Sequence, residues 1–341
     1  MMAPHAALPP LLALALAGCS GGNPFEQQGD LPQTPDEVVT TLGGRALPPG
    51  TQTPSAAGDI ERFEARGEGG DGFAENPVYD AQSDTFTIDN LAFDGTGPYS
   101  RDTVMRELGA AGRSGPFAVY ENSRSVVDPR NGQVITQLPH KLLFQRSRSG
   151  ATELVIVRTG GYLGFGFGGW AYQRNGGVSL PAELQASFTG DYAGIRDFDT
   201  RSGLEFTTGR ITLEIDFADF NGGAAQDAIK GRITDRKVFT TQGDDITQDA
   251  IDALQPGAAA LPTILLDIGP NTISASGEFA GSFQSGYLDA NNQLTVYETG
   301  VYNGILAGDD PSEAVGITIG TGPDHGSGGT FRETGGFVAV R

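Results

Sequence analysis

An all-β chain is predicted by three features of the sequence. Apolar runs are short and closed off by turn residues, and several alternate apolar and polar side chains with period two. Glycine accounts for 51 of 341 residues, about twice its usual share of ~7%, with no collagen period. Together they imply a C-terminal eight-stranded antiparallel β-barrel over 181–341, a smaller β-rich subdomain over 76–180 and a disordered tether over 19–75. Residues 1–18 read as a leader.

That leader has an apolar run at 11–17, too short to span a bilayer, and ends in Leu16-Ala17-Gly18-Cys19. The pattern resembles the lipobox of bacterial lipoproteins, although no Lys or Arg precedes the apolar run. The resemblance implies lipidation of Cys19, the only cysteine, and an outer-membrane protein held at the cell surface or the periplasmic face. Several acyl chains, at ~0.8 kcal/mol per buried methylene, make such an anchor effectively permanent. Residues 20–59 are rich in Gly, Pro, Gln, Thr and Ser, and cannot bury enough apolar surface to offset their ordering entropy. Forty such residues reach roughly 35 Å. The charged stretch 61–71 reads as more linker.

In the smaller subdomain, residues 84–90 alternate with Phe86 and Ile88 on one face, a half-buried strand. Residues 103–111 suggest a short helix capped by Asp102 or Ser100. Runs at 117–120, 134–136, 142–145 and 154–157 predict further strands, with a hairpin turn at 128–132. Residues 161–170 read as a strand with Leu163, Phe165 and Phe167 on one face and Gly164, Gly166 and Gly168 on the other. Its G-x-G-x-x-G match is not a nucleotide site, because no β-α-β unit surrounds it. Residues 176–181 read as a hinge.

Beyond the hinge the strands are longer. Residues 184–195, 210–217, 228–234, 263–268, 272–275 and 279–283 carry strand patterns. Residues 301–306, 315–319 and 337–340 close the set. Apolar positions 246, 250, 251 and 254 fall at helical spacing after Asp245, which suits an N-cap.

Residues 182–341 resemble the β-barrel lobe of transferrin-binding protein B and its relatives, surface lipoproteins of Gram-negative bacteria. The likeness rests on the order of several short motifs: Ser187-Phe188-Thr189-Gly190-Asp191-Tyr192, Leu213-Glu214-Ile215-Asp216-Phe217, the glycines of Gly300-x-Tyr302-x-Gly304, and a terminal Gly-Gly-aromatic strand. Members that bind transferrin have two lobes, whereas one barrel is drawn here, with 76–180 as a handle-like counterpart. The resemblance implies a monomeric lipoprotein that binds a solute or a host protein, with iron or heme acquisition among its roles. No cofactor is expected beyond the lipid on Cys19, heme being the one candidate ligand group. Candidate ligand-binding residues are barrel-end aromatics and a turn histidine: Tyr192, Phe198, Tyr287, Tyr302 and His325.

A formal charge of −20 argues against nucleic acid and anionic lipid as partners, since both need a positive footprint. No catalytic residue is assigned. His140 lies in a strand pattern and reads as structural, and no His/Cys cluster has metal-ligand spacing. The alternatives to a binding protein are a ligand-free structural envelope lipoprotein and, third, a hydrolase.

Overall fold

The computed structural model describes residues 41–341 except 43, 68–69, 96, 110–114, 129, 161–163, 218–227, 268–271 and 325. The expected leader, Cys19 and His325 lie outside the described residues. Two antiparallel sheets dominate the compact unit Val39–Arg341.

The first sheet contains β1 (Ile60–Phe63), β2 (Glu75–Asp80), β3 (Thr85–Asp89), β4 (Tyr99–Arg101), β5 (Phe117–Glu121), β6 (His140–Arg146), β7 (Thr152–Thr159) and β8 (Gly168–Arg174). Its order is β1-β8-β7-β6-β5-β4-β3-β2: a meander with the first strand added beside the last. The second sheet runs through β9 (Gln185–Phe198), β10 (Glu205–Asp216), β11 (Ala228–Thr240), β12 (Ile264–Leu266), β13 (Glu278–Leu288), β14 (Leu294–Asp309), β15 (Glu313–Asp324) and β16 (Gly329–Val340). Each pairs with the next, and β16 pairs with β9 from Thr189↔Val340 to Phe198↔Phe331, so the sheet closes into an eight-stranded barrel.

Alternation decides which side chains fill it. Phe188 and Tyr192 of β9 enter the barrel core with Leu213, Ile233, Phe279 and Phe337. Ala193 and Ile195 point outward and pack with Phe117, Leu143, Ile156 and Trp170 of the first sheet. Because the sheet covers this wall, β15 and β16 are buried on both faces, which explains their near-continuous apolar runs. The glycine content has a structural counterpart inside. A Cβ at Gly335 would overlap the Tyr192 ring, and one at Gly304 would overlap the Phe279 ring. Glycines on neighbouring strands thus leave room for aromatics to lie flat across the barrel.

Several segments differ from expectation. Residues 60–63, expected as linker, form β1, which buries Ile60 and Arg62 on alternate positions. A hairpin of Thr41–Leu42 and Arg45–Ala46 also precedes the expected fold boundary. Residues 103–109 are not helical. Asp102 Oδ1 accepts from the amides of Val104 and Met105, as a cap would, but its other oxygen takes the Lys141 ammonium. The chain then extends so that Glu107–Leu108 pairs with β5 and Leu108 reaches the core. Residues 164–167 turn instead of extending, with left-handed φ at Gly164, Phe165 and Gly166, and β8 begins at Gly168. Residues 272–275 contribute a single bridge, Ile273↔Phe279. The short helix is present as Thr247–Leu254, but its N-cap position is Ile246 and not Asp245; Asp245, one residue earlier, accepts the Thr247 amide at Oδ1, 3.0 Å away.

Buried ions weld sheet to barrel. Arg158 reaches Glu64 at 2.5 Å and the Thr334 hydroxyl at 2.9 Å, while Arg332 holds Asp197 within the barrel at 2.5 Å and also reaches Asp71 outside it. Arg174 of β8 donates to the carbonyls of Ser55, Gly58, Ser276 and Leu306 at 2.8–2.9 Å, satisfying main chain from both halves.

Candidate functional site

Among the described residues, the barrel interior is filled by its own side chains. Tyr192 Oη donates to Glu333 Oε1 at 2.6 Å, and Arg196 Nε donates to Glu333 Oε2 at 2.7 Å. Arg236 pairs with Glu298 at 2.5 Å and with Glu333 at 3.4 Å, and Ser285 donates to Glu298 at 3.0 Å. Two guanidinium groups thus meet two carboxylates out of contact with water. Burial works to raise the Glu333 pKa, but Arg196 and Arg236 overcome it and hold the carboxyl down at about 2. Burial and the Glu333 charge push the Tyr192 phenol well up.

The four expected ligand residues that the structure describes, Tyr192, Phe198, Tyr287 and Tyr302, sit on strands, not on end loops. Tyr192 is interior in the middle of β9. Phe198, at the end of β9, packs with Tyr297 and Phe331 beneath Leu254 and the half-buried Tyr287. The Arg201 guanidinium lies over the Phe198 ring. Tyr302 is buried in β14, and its Oη donates to the Asp267 carbonyl at 3.2 Å. Period-two alternation turns these side chains inward, so they hold the barrel together. Tyr192 and Tyr302 share the barrel core, and Phe198 and Tyr287 share a second cluster. His140 is buried beside Tyr99 with Nδ1 3.1 Å from the Leu138 carbonyl, and burial pushes its pKa down to about 4.

An open concavity lies on the first sheet, on the face turned away from the barrel. Register aligns two cross-strand rows there. Phe63, Ala171, Val155 and Phe144 form an apolar row across β1, β8, β7 and β6. Glu61, Gln173, Glu153 and Arg146 form a polar row beside it. The far end of the sheet curls back over this face. Tyr79 of β2 lies four strands from Phe144, which is roughly 19 Å in a flat sheet at ~4.8 Å per strand. Their ring centroids are 5.3 Å apart, and Phe86 stands 4.9 Å from Phe144. The curl leaves a groove of about 90 Å³ between β1 and β2, with Phe144, Val155 and Ala171 as floor and Pro77, Tyr79 and Glu61 at the rim.

Neither rim presents a free ladder for another strand. The Glu61 carbonyl and the Phe63 amide of β1 are bonded to Thr51 and Pro49, each at 3.1 Å. In β2, Pro77 lacks a donor, and Asn76 at φ 46° shifts the register. A molecule entering the groove would therefore meet side chains and no open strand edge. Glu153 is held by the Gln173 amide and by Arg146 at 3.4 Å. The Glu61 carboxylate is exposed and has no ion-pair partner among the described residues. The sequence signalled Phe86 through its strand but gave no hint that Tyr79, Phe144 and Glu61 would converge with it. No group of three His, Cys, Asp or Glu residues among the described residues is placed to hold a metal ion.

No family model and no curated protein matches the chain. Solved structures similar to it include a transferrin binding protein B variant from Haemophilus parasuis, at 13% identity and TM-score 0.33, covering 77% of this chain and 44% of that one. Another is a surface lipoprotein at 13% identity and TM-score 0.29, covering 56% of this chain and 75% of that one. The intact two-lobed Ap-TbpB matches at 13% identity and TM-score 0.31, covering 79% of this chain and 46% of that one. This chain therefore spans less than half the length of the two transferrin binding proteins, and nothing about their activity passes to it at this identity.

Proposed function

We propose that the chain is an outer-membrane lipoprotein, tethered through Cys19, that binds a partner protein or a solute in the groove of its first sheet. One observation carries this reading: the groove is open and aromatic-lined, while the barrel core is filled by its own side chains. The barrel serves as a rigid base, and the curled sheet as the binding element. The lipid anchor and the outer-membrane site rest on the lipobox alone.

The test places a photo-crosslinking phenylalanine analogue at Phe63, exposed at the open end of the apolar row, in the full chain in its own cells. A control chain carries it at Val301, exposed on the outer barrel wall. A discrete product from position 63 and none from 301, with a diacylglyceryl mass on Cys19, is expected. Equal products at both positions, or none at 63, overturn the groove; an unmodified Cys19 overturns the anchor.

A further inference from the structure

We infer that the groove receives a basic side chain, a lysine or arginine presented by a partner protein. This rests on the groove being the binding site and goes on to name the chemistry it selects. The apolar row and the Tyr79 ring line a path for a methylene stem, and the path lies beside the polar row in which Glu61 is the one carboxylate without a cation. Long basic side chains bury their stems along apolar surface and leave the charged head at the edge, so this pairing of surfaces suits them. Aromatic faces favour a cation further.

Three other observations agree. The polar row already holds one guanidinium: Arg146 lies against Glu153 at its other end. The volume suits one side chain. If a water takes ~10–15 Å³, about 90 Å³ holds roughly six to nine non-hydrogen atoms. A lysine or arginine side chain falls within or just below that range, whereas a folded element does not fit. Finally, a chain of charge −20 attracts basic surfaces over distance and repels anionic ones. The blunted edges of β1 and β2 argue against a partner that adds a strand.

The experiment titrates the full mature chain in detergent with three capped tripeptides, acetyl-Ala-X-Ala-amide, where X is lysine, arginine or norleucine. Ring signals of isotope-labelled tyrosine and phenylalanine report binding at Tyr79, Phe86 and Phe144. The lysine and arginine peptides should shift these signals saturably, with the norleucine peptide at least ten-fold weaker. Glu61→Gln should weaken the lysine peptide five-fold or more and leave norleucine unchanged. Because Glu61 is exposed and unpaired, this variant should fold as the parent does. Norleucine binding as tightly as lysine, or no effect of Glu61→Gln, overturns the cation preference while the groove stands. Absence of any ring shift overturns the preference too, and crosslinking at position 63 then decides separately whether the groove binds at all.

Discussion

Arg62 Nε donates to Glu278 Oε1 at 2.7 Å with both side chains buried, which joins the first strand of the sheet to the barrel strand β13. Glu278 Oε2 also accepts from the Ser276 hydroxyl at 3.1 Å, and the Arg62 Nη1 donates to the Pro48 carbonyl at 3.1 Å. The Arg62 side chain thereby ties this four-residue strand both to the barrel and to the segment that precedes it.

Removing one partner leaves an uncompensated buried charge, so Glu278→Ala should destabilise by about 3–5 kcal/mol. The double change Arg62→Met with Glu278→Leu should cost far less, since it removes both charges. Urea unfolding of the two variants checks this; equal losses would show that the pair is not coupled.

Glu333 should make stability sensitive to acid. Its carboxyl ionises at about 2 in the fold, below its ordinary value of 4.5. A lowered carboxylate stabilises fully above the unfolded value, and the contribution is lost as pH falls through the folded one. The loss, on the order of 3 kcal/mol, should fall between about pH 4.5 and 2. Glu333→Gln should remove that slope, and should also be less stable at neutral pH because Arg196 and Arg236 lose a counter-charge. Thermal unfolding across this range measures both effects.

His140 acts in a separate window. Burial depresses its pKa from 6.5 to about 4, so the fold holds it neutral. Stability from this residue is complete above the unfolded value and declines as pH falls from about 6.5 to 4, by an upper bound of about 3 kcal/mol. His140→Asn should flatten the stability profile in that interval and leave the lower, Glu333 interval intact. A profile unchanged by the substitution would show that the imidazole is not held neutral.

Gly335 faces the Tyr192 ring with no room for a methyl group. Gly335→Ala should destabilise by about 1–3 kcal/mol through overpacking. Gly97, with nothing within 4 Å of a Cβ position, should accept alanine at little cost. Denaturant midpoints distinguish the two.

The barrel was legible in the sequence because its strands are long and their patterns local. Ile211, Leu213 and Ile215 alternate, and 315–319 is a run buried on both faces. β1 was not legible, since Ile60–Phe63 is four residues among charges and glycines, and the pairing that defines it is with β8, more than 100 residues away. Tyr192 and Tyr302 read as aromatics at a barrel end, but a tyrosine between glycines fits an interior strand as well as an exposed loop. Closure of the barrel turned them inward. The groove was hidden for another reason: it gathers β1, β2, β3, β6, β7 and β8 through the curl of a whole sheet, and no local pattern encodes a curl.

The β9–β16 seam sets an order of assembly. β9 lacks its second neighbour until the segment Gly329–Val340 has arrived, and that same segment supplies Val338 to the layer on which the first sheet rests. A chain halted before this segment would carry an unclosed barrel edge and a sheet with a partly uncovered apolar face. Both are surfaces on which aggregation starts. The barrel wall and the layer beneath the first sheet are therefore completed together, by one segment.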